Sequence, residues 1–135
     1  MSYSIQDVEG IGPSYRDKLQ NAGIKTTADF LKLCCDKKGR AEIASKTAIS
    51  EKLILTWANQ ADLMRISGIG PQFAELLKAS GVDTVKELKN RRPDNLATKM
   101  AEINSAQNLA KTSPAEKLIA GWVEAAKNTT PTITH

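Results

Sequence analysis

Val8-Glu9-Gly10-Ile11-Gly12-Pro13 and Ile66-Ser67-Gly68-Ile69-Gly70-Pro71 are one six-residue pattern written twice, 58 positions apart. In each, two glycines bracket an isoleucine and a proline follows. Proline has a fixed φ and no N–H to leave unpaired, so it suits the first turn of a helix, and the glycines allow a reversal just before it. The pattern predicts a tight corner between two helices, with Ile11 or Ile69 wedged between them. Alanine at Gly12 or Gly70 is expected to strain that corner.

The repetition extends outward from the corners. Ala22-Gly23-Ile24-Lys25-Thr26 returns as Ser80-Gly81-Val82-Asp83-Thr84 at the same offset, and so do Leu19 as Leu77 and Phe30 as Leu88. Lys52-Leu53-Ile54 and Trp57 return as Lys117-Leu118-Ile119 and Trp122 at an offset of 65. Two copies of one unit, residues 1–58 and 59–127, thus fill nearly the whole chain.

Each copy reads as helices. Short ones are expected over residues 4–9, with Ser4 and Asp7 as a capping pair, and over 60–66. The helices opened by Pro13 and Pro71 should end at Gly23 and Gly81, where glycine suits the position just past a helix. Thr27 and Thr84 are candidate caps for the next helix. A short helix from Arg40 to Thr47 corresponds to one opened by Pro93. Ser113-Pro114-Ala115-Glu116 combines a capping serine, a proline and a glutamate three residues on, and predicts a helix ending near Lys127. No segment alternates as a strand would. The expected fold is all-α, one compact domain over 1–127, with Leu19, Phe30, Leu53, Trp57, Leu77, Leu88, Leu118 and Trp122 in a shared core; the alternative is two domains with a break near residue 58, each with little core of its own. The polar, threonine-rich residues 128–135 are expected to form a disordered tail.

Composition narrows the function. The chain has 135 residues, which excludes the large cofactor-binding folds, and a net charge of +4 with both signs mixed. Adjacent Cys34 and Cys35 cannot form an ordinary disulfide with each other and read as thiols in a reducing compartment. No apolar run approaches a membrane span, so the expectation is a cytoplasmic protein with no membrane partner. The single histidine, His135, lies in the tail, and no carboxylate pair with it builds a hydrolytic or metal site. No enzyme activity and no cofactor are expected.

The two glycine corners and their surroundings resemble the hairpin of the helix-hairpin-helix family, whose usual form is apolar, any residue, Gly, apolar, Gly, with alanine often a few residues on. The second copy has Ala74 in the alanine place; the first has Arg16 there. The whole chain also resembles an uncharacterised bacterial family with two such hairpins, named only as a domain of unknown function. The resemblance implies non-sequence-specific contact with the backbone of double-stranded DNA. Gly10, Gly12, Gly68 and Gly70 would face phosphates, Ile11 and Ile69 would be the buried wedges, and turn carbonyls would offer a place to a monovalent cation. Ser14, Arg16, Lys18, Gln72 and Lys78 would assist, with Arg65 and Lys25 nearby. Family members often carry Lys or Arg directly after Gly-Pro; here Ser14-Tyr15 and Gln72-Phe73 take those places. The competing reading is a scaffold or protein-interaction module that binds no nucleic acid and uses Tyr15, Phe73 or the third-helix faces. Lys86, Lys89, Arg91 and Arg92 form a basic cluster that is either an extended phosphate footprint or a solvated helix end.

Overall fold

In a computed structural model, which describes residues 2–135, a 3-10 turn at Ile5–Asp7 is followed by α1 (Pro13–Asn21), α2 (Thr27–Leu33), α3 (Lys37–Thr47), α4 (Glu51–Leu63), α5 (Pro71–Ala79), α6 (Val85–Lys89), α7 (Pro93–Gln107) and α8 (Glu116–Lys127). The fold is all-α. Helices α2 and α3 pack on α4, α6 and α7 pack on α8, and α5 lies between α4 and α7. Among the described residues no helix is long and apolar enough to cross a membrane.

Side-chain caps decide four of the eight described α-helix starts. The Thr26 hydroxyl accepts from the Asp29 N–H at 3.1 Å while the Asp29 carboxylate accepts from the Thr26 N–H, a reciprocal capping box. Thr84 caps α6 through Glu87, Asp36 caps α3 through Gly39 and Ser50 caps α4 through Leu53. The cap of α2 is therefore Thr26 and not Thr27, whose hydroxyl instead accepts from the Tyr3 N–H at 3.0 Å. Both helices that follow the glycine corners end in the same motif. The Ile24 N–H reaches the Leu19 carbonyl at 2.9 Å and the Val82 N–H reaches the Leu77 carbonyl at 2.8 Å.

Buried residues of both copies form one hydrophobic cluster. It includes Ile5, Leu19, Phe30, Ile54 and Trp57 from the first, and Ile69, Leu77, Leu88, Ile119 and Trp122 from the second. Leu53 is only half-buried, and Leu118 is 44% exposed rather than in the core. The face of α8 turned inward carries Ile119, Trp122, Val123 and Ala126.

Other expectations shift in detail. The first short helix shrinks to the 3-10 turn, and Ser4 makes no side-chain cap. No separate helix covers 60–66, because α4 continues to Leu63 across the junction near residue 58. Helix α8 starts at Glu116, with Ala115 in the cap position, because Ser113 is occupied elsewhere. Its hydroxyl accepts from Asn104 Nδ2 at 3.2 Å, and the same Asn104 binds both the N–H and the carbonyl of Ala110. That one asparagine closes the loop between α7 and α8.

Residues 128–135, for which composition predicts disorder, run back along the first copy. Ile133 is buried in the core cluster, Arg40 donates to the Thr134 carbonyl at 2.6 Å, and the Thr134 N–H donates to the Cys35 carbonyl at 2.8 Å. One isoleucine and one buried arginine needing an acceptor outweigh the polar composition. Cys34 is buried beneath this segment's attachment point, and burial pushes its thiol up to about 12.

Candidate functional site

The two corners have the same backbone. Gly10 and Gly68 adopt φ of 93° and 94°, a region where an L side chain is strained. The Ile11 N–H then donates to the Val8 carbonyl at 3.1 Å and the Ile69 N–H to the Ile66 carbonyl at 3.0 Å, which closes each turn and drives the isoleucine inward. Both isoleucines are buried. A tryptophan backs each corner. A methyl group on Gly10 would sit 3.1 Å from Trp57 Nε1, and one on Gly68 would sit 3.0 Å from Trp122 Nε1. Tyr15 meets Trp57 edge-on with ring centroids 5.0 Å apart, and Phe73 meets Trp122 at 5.3 Å.

Gly12 and Gly70 do not carry the strain expected of them. Their φ values are −85° and −90° with extended ψ, and a methyl at Gly12 would meet nothing within 4 Å while one at Gly70 would lie 3.8 Å from Tyr3 Oη. Their part is to cap α1 and α5 without a side chain. Among the described residues nothing accepts from the N–H groups of Gly12, Ser14 and Tyr15, nor from those of Gly70, Gln72 and Phe73. The remaining helices differ. Four are capped by side chains, and α7 and α8 carry Asp94 and Glu116 in their first turns. Among the described helices only α1 and α5 start with neither a side-chain cap nor an acid of their own first turn.

The corners are neighbours. A cleft of about 610 Å³ has Gly68, Gly70, Pro71, Gln72 and Phe73 on one wall and Gln6, Asp7 and Glu9, which lead into the first corner, on the other. A second cleft brings Glu75 and Lys78 of α5 beside Gly10, Tyr15 and Trp57. Lys78, assigned from the sequence to the second corner, thus stands beside the first.

Charge around the corners is mixed. Arg16 donates to Asp17 and to Gln6 Oε1, both at 3.1 Å, and Lys18 is exposed beside the Tyr15 ring. Ser14 and Gln72 are exposed. Arg65 is tied to buried Asp62 at 2.7 Å and to the Thr130 carbonyl at 2.8 Å, so it does not reach out toward a ligand. In the basic cluster, Arg91 caps the Gly81 carbonyl at 3.0 Å and Arg92 pairs with Asp94 at 2.8 Å.

Burial, then repulsion from Glu9, holds the Glu75 carboxyl above its ordinary range. A carboxyl raised on folding contributes stability only while protonated, and that contribution is lost as pH rises through its folded value. Glu75→Gln is therefore expected to raise the melting temperature at pH 7, with the gain shrinking as pH falls toward about 4. Thermal melts at the two pH values check this. A variant that melts no higher than the wild type at pH 7 contradicts it.

Sequence reasoning missed the two tryptophans as supports of the corners, although their recurrence behind each corner, at an offset of 65, was visible. It also missed Asp7 as a wall residue of the shared cleft. Comparison with curated proteins and with solved structures finds no match. Residues 9–129 match the model of a domain of unknown function (DUF4332), and the chain belongs to that family.

Proposed function

We propose that the protein binds the backbone of double-stranded DNA without regard to sequence, through two helix-hairpin-helix corners acting as a pair. The observation that carries this reading is the unpartnered amide set at the start of α1 and of α5, the latter on a cleft whose other wall, Gln6, Asp7 and Glu9, leads into the first corner. Three N–H groups at a helix start, undiluted by a first-turn acid, suit a phosphate oxygen. Gly12, Ser14 and Tyr15 would take one phosphate and Gly70, Gln72 and Phe73 another, with Gly10 and Gly68 shaping the turns and Ile11 and Ile69 anchoring them. The Ser14 hydroxyl and the Gln72 amide add neutral donors, while Arg16, Lys18 and Lys78 add charge.

Asp7, Glu9 and Glu75 oppose that charge, so the binding is weak and depends steeply on salt. With about three to five phosphates neutralised, log affinity falls against log salt with a slope of roughly −3 to −4.5. Fluorescence anisotropy of a labelled duplex, titrated at two salt concentrations and with two unrelated sequences, tests this. Equal affinity for both sequences and a slope in that range are expected. No binding at low salt, or binding indifferent to salt, removes the proposal. The alternative of an interaction module anchored by Tyr15 and Phe73 is less well supported, since both rings are half-buried against Trp57 and Trp122.

A further inference from the structure

Helices α4 and α8 correspond residue for residue at an offset of 65, and their inward faces agree: Ile54, Trp57, Ala58 and Ala61 on one, Ile119, Trp122, Val123 and Ala126 on the other, all buried. Their lateral faces do not agree. On α4 that face carries Leu53, Thr56, Trp57 and Gln60 and is covered by α5, which leaves only a cleft of about 230 Å³ edged by Glu75 and Lys78. The corresponding face of α8, with Leu118, Gly121, Trp122 and Ala125, has no helix over it among the described residues and opens as a groove of about 620 Å³. Cover shows in the side chains as well. Gln60 is 3% exposed whereas Ala125 is half-buried, and Leu53 is half-buried whereas Leu118 is 44% exposed.

We propose that the α8 groove receives an amphipathic helix of a partner protein, seated as α5 is seated on α4. The chain itself supplies the template for the occupant. Helix α5 edges that face with Glu75 and Lys78, so apolar stems with charged ends are what such a face accepts at its rim. The groove is apolar apart from Ser67 and Lys117, and Lys117 favours an acidic residue near the end of the incoming helix, as Asp83 lies beside the equivalent Lys52. A second copy of this chain offers the wrong surface. Its uncovered equivalent of α5 is α1, where Arg16 stands in place of Ala74 and Lys18 in place of Leu76. The face of α1 is polar where that of α8 is apolar. The proposal uses none of the amide donors assigned to DNA, so it stands or falls separately.

The probe is a synthetic peptide of residues 68–83 of this chain, held helical by a staple across the exposed positions 72 and 79, titrated into the full-length protein labelled with nitrogen-15. Shifts are expected at Ser67, Leu118 and Gly121 and at the Trp122 indole. Gly121→Arg fills the groove where nothing of the chain lies within 4 Å, and it replaces a helical glycine, so the fold is expected to melt at the same or a higher temperature. That variant should weaken peptide binding at least tenfold. No binding by the wild type, shifts centred on Leu53 and Gln60, or unchanged affinity in Gly121→Arg overturns the proposal. So does wild-type self-association, seen by sedimentation, that Gly121→Arg abolishes, because the occupant would then be a second copy.

Discussion

Trp57→Ala is expected to lower the stability of the fold by about 3–5 kcal/mol, the range for removing a large buried aromatic side chain. Trp57 is 2% exposed, lies on the inward face of α4, and is the surface on which both Gly10 and Tyr15 rest. Its removal leaves a cavity under the first corner that α4 cannot close, since α2, α3 and α5 hold that helix from several sides. A domain of this size has only about 5–15 kcal/mol in total, so the melting temperature should fall by about 10–20 °C. Melting followed by circular dichroism measures it. A drop of only a few degrees would mean that the tryptophan is not the corner's support.

Gly68→Ala is expected to destabilise through the backbone, by about 1–3 kcal/mol for a φ near 94° and more for the contact its methyl makes with Trp122. That contact is tight because Trp122 is itself buried, with its Nε1 lacking any hydrogen-bond partner among the described residues. The control lies two residues away. Gly70→Ala meets an ordinary backbone conformation and an ordinary van der Waals contact with Tyr3 Oη at 3.8 Å, so it should change stability by less than about 1 kcal/mol, in either direction. Chemical denaturation of the two variants should separate them clearly. If Gly70→Ala proves as costly as Gly68→Ala, the assignment of strain to the first glycine of each corner is wrong.

The architecture was readable because its punctuation is local. Gly10-Ile11-Gly12-Pro13 and Gly23-Ile24 state a corner and a helix end in consecutive residues, and the second copy states them again. What escaped reading depends on partners distant in the chain. Thr26 and Thr27 offer the same hydroxyl, and only the position of Tyr3 decides which one caps α2. Ser113 looks like a cap until Asn104 claims it. Ile133 is one apolar residue in a polar tail, and its burial depends on Arg40 holding the Thr134 carbonyl across most of the sequence. Leu118 repeats Leu53 faithfully, yet among the described residues α5 lies beside Leu53 and no helix lies over Leu118. The candidate site was legible in its glycines and its wedges. The acidic wall of Asp7 and Glu9 opposite Gly70 was not, because it arises from how one copy sits against the other.

The central claim is that two sets of backbone amides, one per corner, hold one duplex together. Nitrogen-15 spectra of the full chain titrated with a short duplex at low salt test it directly. The amides of Gly12, Ser14 and Tyr15 and those of Gly70, Gln72 and Phe73 are expected to shift together along a single binding curve, and to return as salt is added. Shifts confined to Lys86 through Arg92, or to one corner with the other silent, would contradict the paired grip.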